Sequence, residues 1–159
     1  MATTTKEESY DFQFIFYSIQ LGRQNIGLPE LVNVSLLADG ADAITNGFKI
    51  AFGEDFKRGM CWFHMRKAVD KELTNKFNET IIKEILGDID NLQLSQSNEI
   101  FKSASKCVLK KWKLYKVANI AGFLDYFNKE WLQKHSGWYE GFLINSASTN
   151  NELEGIRVR

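Results

Sequence analysis

The hydrophobic positions change period several times along the chain, and each change marks an element. In "ESYDFQFIFYSIQLG", Tyr10, Phe12, Phe14 and Phe16 alternate as in a strand. In the same stretch Tyr10, Phe14, Tyr17 and Leu21 recur at helical spacing, with Gly22 as a stop, so both readings stand. The short apolar run "LVNVSLL" reads as a buried strand, and it delivers a carboxylate, Asp39, to its end. Beyond Asp39, Ile44, Gly47, Phe48, Ala51 and Phe52 fall on one helical face that Gly53 closes. "FKRGM" is a short extended piece. "CWFHMRKAVDKEL" carries Trp62, Met65, Val69 and Leu73 at helical spacing, and Asn78 can cap a helix with Ile82, Ile85, Leu86 and Ile89 inside. A third helical run holds Ile100, Phe101, Ala104, Val108 and Trp112; a fourth holds Ile120, Phe123, Leu124, Phe127 and Trp131 and ends near "HSG". A further helix begins at "STNNELEGIRVR". Two strands with crossing helices therefore precede a helical block, with no internal repeat and no low-complexity linker.

Composition narrows the class. At 159 residues, 44% hydrophobic and 13% aromatic, the chain can bury a core as one domain or a large piece of one. One proline and eleven glycines argue against a disordered or fibrous chain. Net charge is zero, so attraction to nucleic acid has to be local. The opening "MATTTKEES" has no apolar core of a secretory signal, and no window approaches a membrane span. The expected setting is intracellular, without a membrane partner, and with Cys61 and Cys107 as free thiols.

Four features carry candidate chemistry. Asp39, at the C-terminal end of a strand, stands where α/β folds place their sites, and a hard carboxylate oxygen suits Mg²⁺ or Mn²⁺. Its plain alternative is a helix cap. Glu152 and Glu154 occupy the first turns of the last helix, where the dipole favours a carboxylate and capping again competes. Cys61 and His64 form C-x-x-H on one helix face. With Cys107 and His135 they could complete a zinc site; otherwise Cys61 is a small buried residue beside a hydrogen-bonded His64. Finally, "FKSASKCVLKKWKLYKVA" holds six lysines and no acid, with Trp112 and Tyr115 interleaved. Lysines there could track phosphates and the aromatics could stack on bases; a solvated helix face is the alternative. The stretch from Glu79 to Glu99 is acidic, so charge is segregated along this half of the chain.

The order of these features resembles the transposases of Mutator-like elements: a strand, "ADGADAITNGF", "CWFH", a helical block, then "STNNELEG". The resemblance runs from about Glu7 to Gly155. It implies an α/β, RNase H-like core, present here only in its last strands and helices, with an all-helical insertion that makes the chain predominantly helical. The implied division is a partial core over 7–64, a helical insertion over 65–133 and a return to the core over 134–159.

Within that resemblance Asp39 matches the second aspartate of a D-D-E metal site, Glu154 matches its glutamate, and Cys61 and His64 match the family's C-x-x-H. Asp39 and Glu154 would be the metal ligands. The family's first aspartate has no counterpart in the 38 residues before Asp39, because Asp11 falls in the helix ahead of that strand. The implied activity of an intact relative is Mg²⁺- or Mn²⁺-dependent cleavage and strand transfer of DNA, with transposon ends and target as partners, in the nucleus of a eukaryote. For this chain the expectation is a fragment, shortened at both ends, that is inactive alone. The alternative is a non-catalytic DNA- or protein-binding module, with Lys106, Lys110, Lys111 and Lys113 as the nucleic-acid contacts. A homo-oligomer is a further candidate partner.

Overall fold

In a computed structural model that describes residues 8–143, the ambiguous first run is a helix, α1 (Ser9–Asn25). Gly22 lies inside it rather than ending it, and the chain turns at Gly27, which takes a φ of 72°. Asp11 Oδ2 accepts a hydrogen bond from the Glu8 N–H at 3.0 Å and so secures the first turn.

The strand that follows is shorter than its apolar run. β1 covers only Ser35–Ala38. Ahead of it the Gln20 side chain donates to the Leu31 carbonyl at 3.2 Å and accepts from the Leu31 N–H at 3.0 Å, so both polar groups of that residue are occupied. Asn33 adopts a left-handed φ of 54°, which no strand tolerates. Helix α2 (Asp42–Phe52) closes on Gly53 at a φ of 85°, and β2 (Lys57–Met60) pairs with β1 in a two-stranded sheet.

The helical block follows as its periodicity predicts. It comprises α3 (Trp62–Thr74), α4 (Glu79–Gln93), α5 (Asn98–Lys113) and α6 (Ile120–Phe127), the last running on into a π-helical segment, Asn128–Lys134. Asn78 accepts from the Ile81 N–H at 3.1 Å and Ser97 from the Ile100 N–H at 3.3 Å, each satisfying an orphan donor of a first turn. The described residues are thus predominantly helical, and no helix among them is long and apolar enough to cross a membrane.

The chain divides into two compact units, with the boundary between Arg58 and Gly59. The first has a small core: Leu36, Ala38 and Phe48 are buried, with Phe16, Val34, Ile44, Phe52 and Phe56 packed around them. Phe16 meets Phe48 edge-on at 5.1 Å, which ties α1 to α2. The helices approach closely at Gly47, where an added Cβ would lie 2.6 Å from the Phe12 Cβ and 2.8 Å from the Gln13 nitrogen and the Ser9 oxygen. Two of those three atoms are backbone and cannot rotate away. Gly47→Ala is therefore expected to be destabilising by about 1–3 kcal/mol from overpacking, against about 1 kcal/mol gained in helix propensity. Hydrogen exchange over Ser9–Asn25 checks this: protection should fall there while α3 to α6 keep theirs.

The second unit holds the larger core. Met65, Val69 and Leu73 of α3, Ile85 and Ile89 of α4, Phe101 and Trp112 of α5 and Phe123 and Phe127 of α6 are all buried. Beyond the π-helical segment the Trp138 indole N–H donates to the Trp131 carbonyl at 2.7 Å, and the Tyr139 ring stacks on Phe101 at 4.2 Å. These contacts anchor the end of the described chain on the helices.

Candidate nucleic-acid interface

Asp39 stands half-buried just past β1. It is not the cap of α2: that position is Ala41, and Asp39 Oδ1 instead accepts from the Ala41 N–H at 2.9 Å, a turn closed two residues along the chain. The Arg58 guanidinium donates to the Asp39 carbonyl and, through Nε, to the Thr45 hydroxyl at 2.8 Å. Burial lowers the pKa of Arg58, while the nearby Asp39 and Asp42 carboxylates work in the opposite direction. The end of the strand is thus tied by a cation and a turn. Among the described residues no three His, Cys, Asp or Glu side chains come together as a metal ion would require. Glu152 and Glu154 lie outside the described residues.

In the second unit Cys61 is fully buried and precedes α3, whose first turn carries His64, half-buried. His135 is buried at the end of the π-helical segment, with Nε2 3.3 Å from Glu130 Oε1. Cys107 is exposed on α5. The described residues bring no third ligand to any of these, so the four-ligand zinc arrangement is not formed among them.

Helix α5 is the feature that the structure sharpens most. Its buried stripe is Phe101, Ser105 and Trp112. Lys102, Lys106, Lys110 and Lys113 recur at helical spacing on one flank of that stripe, and all four are exposed. Among the described residues none of them makes an ion pair. The row spans roughly 16 Å at the helical rise.

Lys111 leaves the set. It stands on the opposite flank, toward α4, and its ammonium holds both oxygens of Asp88 at 2.7 and 2.9 Å. That contact, chiefly the hydrogen bond to Asp88, raises its pKa. The aromatics expected to stack on bases also turn inward. Trp112 is fully buried, and its indole N–H donates to Asp88 Oδ2 at 2.8 Å. Tyr115 donates its hydroxyl to Glu84 Oε2 at 2.5 Å; burial, then that hydrogen bond, raises its pKa. The acids of α4 therefore neutralise one flank of α5, while on the other flank the lysine row meets only Glu99, beside Lys102, on the helix itself. Lys102, absent from the sequence-derived set, joins it because it begins the i, i+4, i+8, i+11 row.

Comparison of the chain with family models, with characterised proteins and with solved structures returns no match.

Proposed function

We propose that the chain is a DNA-binding module of transposase descent that holds the phosphate backbone through the lysine flank of α5 and does not cleave it. The observation that carries this reading is the exposed row Lys102, Lys106, Lys110 and Lys113, none of which makes an ion pair among the described residues. Four ammonium groups in line on a rigid helix can replace condensed counterions along a strand of duplex DNA. The descent rests on the resemblance alone, supported by the order in which Asp39, Cys61, His64 and the helical block follow one another. Any Mg²⁺ or Mn²⁺ would belong to Asp39 with Glu154, the pair that the resemblance implies, and the binding proposed for α5 needs neither ion. In a eukaryote the module would act in the nucleus.

The inward turn of Trp112 and Tyr115 narrows the ligand. With no exposed aromatic on the lysine flank of α5, unpaired bases have no platform there, and affinity should come from phosphates alone. Fluorescence anisotropy with a duplex and a single strand of equal length tests this. The duplex, with twice the backbone charge, should bind more tightly, and shuffling its sequence should change little. Preference for the single strand, or no binding to either, contradicts the reading.

A further inference from the structure

Helix α1 buries none of its residues fully, although Phe12 and Phe16 face α2. Beside that face, Tyr10, Phe14, Tyr17 and Leu21 form a second apolar stripe with relative exposures of 74%, 73%, 47% and 57%, and the Tyr17 hydroxyl donates to the Ile50 carbonyl of α2 at 3.1 Å. Their spacing is four, three, four, the narrow seam with which one helix packs on another in a coiled coil. The stripe borders an open groove of about 550 Å³ between α1, Glu30 and Ala51, wide enough to receive side chains from a facing helix.

We propose that this seam pairs with the same seam of a second copy of the chain, the two α1 helices running antiparallel about a two-fold axis. Three observations select that occupant. The stripe is its own mate, because an axis between Phe14 and Tyr17 sets Tyr10 level with Leu21 of the second copy and Phe14 level with Tyr17 of the second copy. The four seam side chains are uncharged, and of the residues that line the groove beside them only Glu30 carries a charge. The ends of α1 are opposite in sign, Glu8 and Asp11 at the start and Arg23 in the last turn, which favours the antiparallel over the parallel arrangement, as do the helix dipoles. The four side chains offer roughly 500 Å² from each copy. That is near the low end for specific interfaces, so the dimer should be weak and dependent on concentration.

Sedimentation velocity of the full chain over a wide concentration range is the test. The average mass should rise from that of a monomer, 18.3 kDa, toward twice that value. Phe14→Glu should hold the monomer mass at every concentration with its circular dichroism unchanged, since Phe14 is largely exposed. Tyr10→Lys, at the end of the stripe, provides a second variant should Phe14→Glu disturb folding. Orientation is read by disulfide trapping in a Cys107→Ser background: Phe14→Cys mixed with Tyr17→Cys should cross-link more than either alone. A parent chain that stays monomeric into the millimolar range, or variants that associate as the parent does, would overturn the pairing. Homodimeric cross-links in excess would overturn its antiparallel sense.

Discussion

Trp112→Ala is expected to destabilise the helical unit by about 3–5 kcal/mol, the cost of emptying a large aromatic site in a packed core. The indole is fully buried, with its ring 5.3 Å from Phe127 and 5.7 Å from Phe123. Two losses add. The cavity deprives both phenylalanines of contact, and Asp88, whose side chain is only 18% exposed, loses one of its donors. For a unit of this size the melting temperature should fall by more than about 10 °C. Trp112→Phe separates the two terms: it keeps most of the volume and loses only the N–H, while Lys111 still holds Asp88. Its penalty should be about 1–2 kcal/mol. If the two variants melt alike, the packing of α5 on α6 is not what holds this unit.

Replacing Lys102, Lys106, Lys110 and Lys113 together with glutamine has the largest expected effect on binding. Each lysine that neutralises a phosphate releases about 0.9 counterion, worth roughly a factor of eight at 0.1 M salt. Four together should cost roughly four thousandfold in affinity for duplex DNA. Stability should barely change, because the four side chains are exposed and outside every ion pair among the described residues. Lys111→Gln is the internal control. It removes one formal charge from the flank occupied by Asp88, so duplex affinity should change far less than the roughly eightfold expected for any single lysine of the row, with at most about 1 kcal/mol lost in stability.

The contrast between these lysines shows how far the sequence could be read. Helix spacing alone makes α5 amphipathic, and Trp112 and Phe101 mark its buried side without ambiguity. Which flank of that side meets the acids of α4 depends on how the two helices pack, and no periodicity encodes that. In the sequence Lys111 is therefore equivalent to its neighbours and Trp112 and Tyr115 are available to stack on bases; in the fold Asp88 and Glu84 occupy all three.

Elsewhere the limits have other causes. α3, α4 and α6 were legible because each has a single apolar stripe, and the start of α4 is marked by a capping asparagine whose bond is present. α1 was undecidable because Tyr10 to Leu21 satisfies two periods at once; contact of Phe16 with Phe48 and Phe52 goes with the helical one. The apolar run before Asp39 overstates the strand because the bonds from Gln20 to Leu31 that hold its first part are made between residues eleven apart. A helix cap is the plain alternative for Asp39 because a carboxylate before a helix usually is one; here the turn closes on Ala41 and the helix starts one residue later.

The salt dependence of duplex binding tests the central claim, that the lysine flank of α5 grips the phosphate backbone, most directly. Measured from about 50 to 200 mM salt, log affinity against log salt should have a slope of about −3.6, as four phosphate contacts require. In the four-lysine glutamine variant the slope should fall close to zero. A slope near zero for the unaltered chain, or an unchanged slope in the variant, would contradict the account.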